Sequence, residues 1–206
     1  NVAIDVARVL VKNRQEMAHS DLPEYAVAAI EASPLTDVYM CGRRGPVEAK
    51  FTNVELREMG ELEMCSPIID SAVLPDDVAG DWSGRDRRLR EKNLSTLREF
   101  TKIDPGDRPK RVHFQFFSSP LEILGDERVE AVRFERTRLE GGRTVGAGEY
   151  FEIPCGLVVA AIGSQSEAVA GVPFDDQQGI VVNTDGWVDD NVYAVGWVMR
   201  GSSGVI

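Results

Sequence analysis

The fold class predicted for this 206-residue chain is α/β, with a largely parallel sheet and a β-meander. Three observations predict it. Residues 36–59, TDVYMCGRRGPVEAKFTNVELREM, read as a strand, a tight turn and a helix. Leu157 to Ile162, LVVAAI, is a continuous apolar run ending at Gly163, the pattern of a parallel strand buried on both faces. Between them, residues 110–153 change to two-residue alternation, which predicts an antiparallel meander of about three strands.

Composition bounds the functions open to such a chain. Hydrophobic residues make up 43%, enough for a core, and the length admits one domain or two small ones. The formal charge is −11, from 23 basic and 34 acidic residues, so nucleic-acid phosphates would be repelled. No apolar stretch approaches the roughly 20 residues that span a bilayer, and no signal peptide is visible. Cys41, Cys65 and Cys155 are odd in number, widely spaced and form no CxxC. That fits a reducing cytoplasm and signals neither a zinc site nor a dithiol pair. His19 and His113 are too isolated to build a metal site, and none is expected. The chain begins inside a helical pattern at Asn1 and ends at Ile206 without a closing element, so it reads as a fragment of a longer protein.

Residues 1–12 carry Val6, Val9 and Leu10 at helical spacing, with Ala3 and Ala7 small enough for close packing on a sheet. The sequence begins at Asn1, so a phosphate-binding glycine turn is not seen in it. If one lies upstream, Asn1, Val2 and Ala3 form the first turn of a helix whose free N–H groups face a pyrophosphate. Asp21-Leu22-Pro23-Glu24 resembles a capping box before a short Ala-rich helix, Tyr25 to Ala32. Val38 to Cys41 is a strand that ends at Gly42, and the helix after the turn carries apolar Phe51, Leu56 and Met59. Arg43 and Arg44 therefore stand at the carboxyl end of a strand, where open α/β sheets bind ligands. An acidic residue there accepts from the free ribose 2′-hydroxyl of NAD. An arginine pair instead offers planar donors to a 2′-phosphate, so NADP is expected.

Ile68 to Val73 reads as a third strand, and residues 85–100 as an amphipathic helix with Leu89, Leu97 and Phe100 on one face and Leu94 at its edge. Arg85, Arg87, Arg88 and Arg90 cluster in its first turns. They form either a solvated face or a docking patch for an acidic protein. The alternating segments Val112–Phe116, Val129–Leu139 and Glu149–Ile153 make up the meander, turned at Gly141-Gly142. Asn191 to Val195 is a short buried strand, followed by Gly196-Trp197 and the glycine-rich Gly201 to Ile206.

Three stretches, NVAIDVARVL at 1–10, GRRGPVEAKFTNVELREM at 42–59 and VYAVGWVMRGSSGVI at 192–206, together resemble the adrenodoxin reductase family of ferredoxin–NADP reductases, bacterial members included. The middle stretch is the specific one. The resemblance implies a two-dinucleotide-binding-domain flavoprotein, Rossmann-like and incomplete here, in which residues 1–105 are most of the NADP domain. Residues 106–206 are then the meander and the return to the FAD domain. It implies that Asn1, Val2 and Ala3 contact the NADP pyrophosphate, that Arg43 and Arg44 hold the 2′-phosphate, and that Glu55 also contacts NADP. Trp197 is implied to lie by the flavin and nicotinamide, with Gly204, Val205 and Ile206 approaching FAD. The implied reaction passes a hydride from NADPH to FAD and then single electrons to ferredoxin or another small acidic iron–sulfur protein. The cofactors carry that chemistry, so no catalytic acid, base or nucleophile is expected here. The family's GPTG is GSSG at 201–204, a change that a backbone role tolerates. The FAD half, with its own GxGxxG, lies outside the chain, which is expected to be inactive alone. A glutamate-synthase-small-subunit-like oxidoreductase and a non-catalytic α/β binding module are the competing readings.

Overall fold

The structure is a computed structural model that describes residues 2–106 and 108–201. The chain divides into two compact units, residues 1–158 and 159–206, each taken here by itself.

In the first unit, α1 (Val2–Val11) buries Ile4, Ala7 and Val11 on one stripe. Next comes α2 (Arg14–Met17), a single turn with a reciprocal cap. The Glu16 N–H donates to Asn13 Oδ1 at 2.8 Å, and the Asn13 N–H donates to Glu16 Oε2 at 2.9 Å. The capping box thus lies here and not at Asp21–Glu24, because α3 (Glu24–Glu31) starts from Pro23 with no side-chain cap. Proline pre-sets the φ a helix needs, so the entry forms without one.

The parallel sheet holds β1 (Asp37–Cys41), β2 (Cys65–Ile68) and β3 (Lys110–Gln115) in the order β1-β3-β2. The expected third strand is displaced toward the N-terminus, from 68–73 to 65–68. Pro67 is tolerated because β2 is an edge strand among the described residues. Asp70 Oδ1 accepts from the Ala72 N–H at 2.9 Å and winds Ser71–Val73 into a 3-10 turn. The expected first meander strand, 112–116, is corrected more deeply. It is the central strand of the parallel sheet. Val112 and Phe114 are buried while His113 and Gln115 are half-buried. Alternation reports one-sided burial, and it does not say which way the neighbouring strands run.

Two helices, α4 (Asn53–Glu61) and α5 (Gly84–Phe100), join α1 around one core. Ile4, Val11, Leu56, Met59, Leu97, Phe100, Val112 and Phe114 form it. Phe51 meets Phe114 edge-on, with centroids 6.2 Å apart. Leu94 is buried, and Leu89, expected on the apolar face, is 40% exposed. Tyr39 stacks on His113, with ring centroids 4.4 Å apart.

The antiparallel meander is β4 (Ser118–Leu124), β5 (Ala131–Glu140) and β6 (Arg143–Pro154), in that order. Val132, Phe134 and Ile153 form its small core. The run Leu157–Ile162 is not a strand, and Ile162 is 91% exposed. Apolar content suits a buried strand, but a strand exists only through pairing. No described strand lies alongside this one.

The second unit contains two short antiparallel pairs, β7 (Phe174–Asp175) with β8 (Ile180–Val181), and β9 (Trp187–Asp189) with β10 (Val192–Tyr193). A one-turn helix, α6 (Trp197–Arg200), follows. The strand expected over 191–195 shrinks to two exposed residues, and only Ala194 is buried. Among the described residues, no helix is long and apolar enough to cross a membrane.

Candidate nucleotide site

At the end of β1 the chain must turn away from the sheet, and four hydrogen bonds fix how it does so. The Gly42 N–H donates to Gln115 O at 2.9 Å, and the Ser118 N–H donates to Gly42 O at 2.9 Å. Thr137 Oγ1 donates to Arg43 O at 2.7 Å, and the Phe117 N–H donates to Arg44 O at 3.2 Å. The backbone of 42–44 is thereby tied to the β3–β4 junction and to β5. Gly45, buried just beyond, has no room for a side chain. A Cβ there would lie 2.5 Å from Phe117 Cζ and 2.9 Å from Glu48 Oε2.

Main-chain anchoring leaves both guanidinium groups to the solvent. Arg43 and Arg44 are exposed, and neither has an ion-pair partner among the described residues. In a chain of net charge −11, two adjacent unpaired cations on a fixed turn form a local anion site.

Two helix N-termini share that end of the sheet. Lys110 Nζ, at the start of β3, donates to the Leu10 carbonyl at 3.2 Å. The C-terminus of α1 therefore lies at the amino end of the sheet, and its first turn, with exposed Val2 and half-buried Ala3, points to the carboxyl end. First-turn N–H groups have no intrahelical acceptor and attract anions. Asn1 lies outside the described residues.

At the start of α4, Thr52 Oγ1 donates to Glu55 Oε2. That hydroxyl, ahead of a backbone N–H and the charge of Arg8, holds the Glu55 carboxyl below the usual glutamate range. Arg8 itself pairs with Glu58 and with Asp5 at 3.3 Å, fastening α1 to α4.

The cluster on α5 separates into two kinds of residue. Arg85 and Arg88 are exposed. Arg87 pairs with Glu91 at 3.0 Å and Asp77 at 3.5 Å, while Arg90 donates to the Val47 carbonyl and stacks on Trp82. Sequence reasoning missed Thr137, Phe117 and Trp82. Their role is to meet segments distant in the chain, and no local pattern signals that.

In the second unit, Trp197 is 37% exposed at the start of α6. It follows Gly196, whose φ of +66° lets the chain leave β10 sharply. Asn183 Nδ2 donates to Val181 O at 2.7 Å and Met199 O at 3.0 Å, which ties α6 to β8. Gly204, Val205 and Ile206 lie outside the described residues. Among those described, no cluster of side chains suits a metal ion.

No family model matches the chain. The NADPH-ferredoxin reductase FprA of Mycobacterium tuberculosis (strain ATCC 25618 / H37Rv) is 36% identical over 213 residues, which is 100% of this chain and 46% of the relative. The mitochondrial NADPH:adrenodoxin oxidoreductase of Bos taurus is 37% identical over 223 residues, which is 100% of this chain and 45% of the relative. The solved structure of Mycobacterium tuberculosis FprA in complex with NADPH superposes with a TM-score of 0.88 at 34% identity, covering 99% of this chain and 46% of that one. The chain thus spans about half the length of the curated relatives it matches. By sequence over its whole length and by fold, the chain is similar to about half of an adrenodoxin reductase-like ferredoxin–NADP reductase.

Proposed function

We propose that the chain supplies the NADP-binding part of a flavoprotein ferredoxin–NADP reductase. One observation carries this reading. Arg43 and Arg44 present two exposed guanidinium groups, unpaired among the described residues, at the carboxyl end of a parallel strand, on a turn held through its main chain. A 2′-phosphate fits that arrangement, because each guanidinium can donate two parallel hydrogen bonds to phosphate oxygens. The division into a nucleotide domain over 1–105 and a return to the flavin domain over 106–206 belongs to the same proposal. Lys110–Gln115 is then lent to the first sheet by the return segment.

In this reading the first turn of α1, from Asn1 through Val2 and Ala3, directs N–H groups at the pyrophosphate. Glu55, already fixed by Thr52, bonds to the nucleotide without having to be ordered on binding. Trp197 offers a half-exposed indole, a surface on which a nicotinamide or flavin ring packs. Gly204, Val205 and Ile206 complete the approach to FAD. When bound, NADPH and FAD would supply the redox chemistry, hydride transfer followed by single-electron delivery, while the residues named here would hold and orient them. The acceptor is a small acidic iron–sulfur protein, met by exposed Arg85 and Arg88, while Arg87 and Arg90 act within the fold. Nucleic acid is not a partner of so acidic a chain. Three free cysteines suit a reducing cytoplasm.

Titration of 2′-phospho-AMP against AMP tests the reading. Hydrogen bonds to charged groups contribute about 1.5–3 kcal/mol each, so the chain should prefer 2′-phospho-AMP by at least roughly tenfold. Arg43→Ala/Arg44→Ala should abolish that preference. Equal binding of both nucleotides to the folded chain would remove the 2′-phosphate assignment.

A further inference from the structure

The segment that follows the arginine turn is held by α5. Arg90 donates from Nη1 to the Val47 carbonyl, and its guanidinium carbon lies 3.5 Å from the centroid of Trp82. Three residues on, Asn93 is 2% exposed and donates from Nδ2 to the Phe51 carbonyl at 2.9 Å. Its Oδ1 accepts from Asn53 Nδ2 at 3.0 Å, and Asn53 also donates to Thr96 Oγ1 at 3.1 Å. Residues 90 and 93 share a helix face. Leu94 beside them packs with Val47 and Val78. The two carbonyls that accept from α5 belong to residues 47 and 51, the two ends of the link between the arginine turn and α4.

On its other flank the turn is tied to β3, β4 and β5. It is therefore clamped from both sides, by strands before Gly45 and by α5 after it. We propose that Arg90 and Asn93 are positioning residues for the phosphate-reading arginines. They fix the exit of the turn and so the direction in which Arg43 and Arg44 project. A planar bidentate contact demands orientation, and a turn ordered in advance does not lose affinity to ordering on binding. Arg90 then contributes to nucleotide selection through the Val47 carbonyl, with its own charge spent inside the fold. The proposal rests on the 2′-phosphate reading of Arg43 and Arg44.

The test compares the chain with Arg90→Met, Arg90→Lys and Asn93→Ala, titrating 2′-phospho-AMP and AMP, with a thermal melt to establish folding. Arg90→Met keeps the apolar stem over Trp82 and removes the donor. It should weaken 2′-phospho-AMP roughly three- to tenfold while AMP binding stays unchanged. Arg90→Lys should recover most of the loss, and Asn93→Ala should reproduce it. If Asn93→Ala does not fold, Arg90→Met decides. A folded Arg90→Met chain with unaltered preference overturns the clamp and leaves the arginine pair standing. Equal weakening of both nucleotides also overturns it, because that marks a general structural defect. A parent chain that does not separate the nucleotides removes the 2′-phosphate reading, and this proposal with it.

Discussion

Asp37 begins β1 with Oδ1 2.7 Å from His113 Nε2, while Thr36 Oγ1 donates to its other oxygen at 2.7 Å. The His113 hydrogen bond, ahead of the Thr36 one, holds the Asp37 carboxyl below the ordinary aspartate value. A depressed carboxylate pKa stabilises the fold fully above the unfolded value, and that stabilisation is lost as pH falls through the folded value. Asp37→Asn should therefore unfold at lower urea than the parent at pH 7, and the gap should close below about pH 4. A gap independent of pH would show that the carboxylate charge does not matter. At this scale, what faces solvent was legible and what faces the interior was not. Arg43 and Arg44 stood out because position after a strand and residue type together suffice. In the sequence Arg90 looks like surface charge, because its partners, Val47 and Trp82, are set by tertiary structure.

Helices followed from the sequence more closely than strands did. The helix expected over 85–100 runs from Gly84 to Phe100, because its apolar spacing and Ser83 cap are both local. The Ser83 hydroxyl accepts from the Asp86 N–H at 3.2 Å. The cap that was misplaced, at Asn13, closes a loop between α1 and α2 and also reaches across the fold. Glu16 Oε1 accepts from the Glu63 N–H at 2.9 Å. Asn13→Ala should lower stability by about 0.5–2 kcal/mol in a chemical melt. No loss would mean that water replaces the cap at no cost. For strands, periodicity reported burial correctly and pairing badly. Val112 to Phe116 alternates as a meander strand would, yet β3 lies between two parallel neighbours.

For the whole molecule, the division at residues 158 and 159 falls inside the run Leu157–Ile162. Val158 and Val159 are exposed and lie in no regular element. Limited digestion with elastase should cut there first, leaving a fragment close to residues 1–158. Early cuts within β3 or α5 would contradict that order. The similarity to family members at 36–37% identity was legible from the arginine turn, its following helix and the glycine-rich C-terminal stretch. Where the sheet ends was not, because edges are decided by which strands are present to pair.

Strand β1 lies at such an edge among the described residues. One row of its amide and carbonyl groups faces no neighbouring strand, and Tyr39 beside them is exposed. An open row of this kind accepts one more strand, from the same protein or from another molecule. Leu157, Val159 and Ile162 add exposed apolar surface elsewhere. Colloidal stability then rests on the net charge of −11, which keeps copies apart at low salt. In a solution of this 206-residue chain, salt that screens the repulsion should let copies pair along the open row, so its solubility should fall as ionic strength rises.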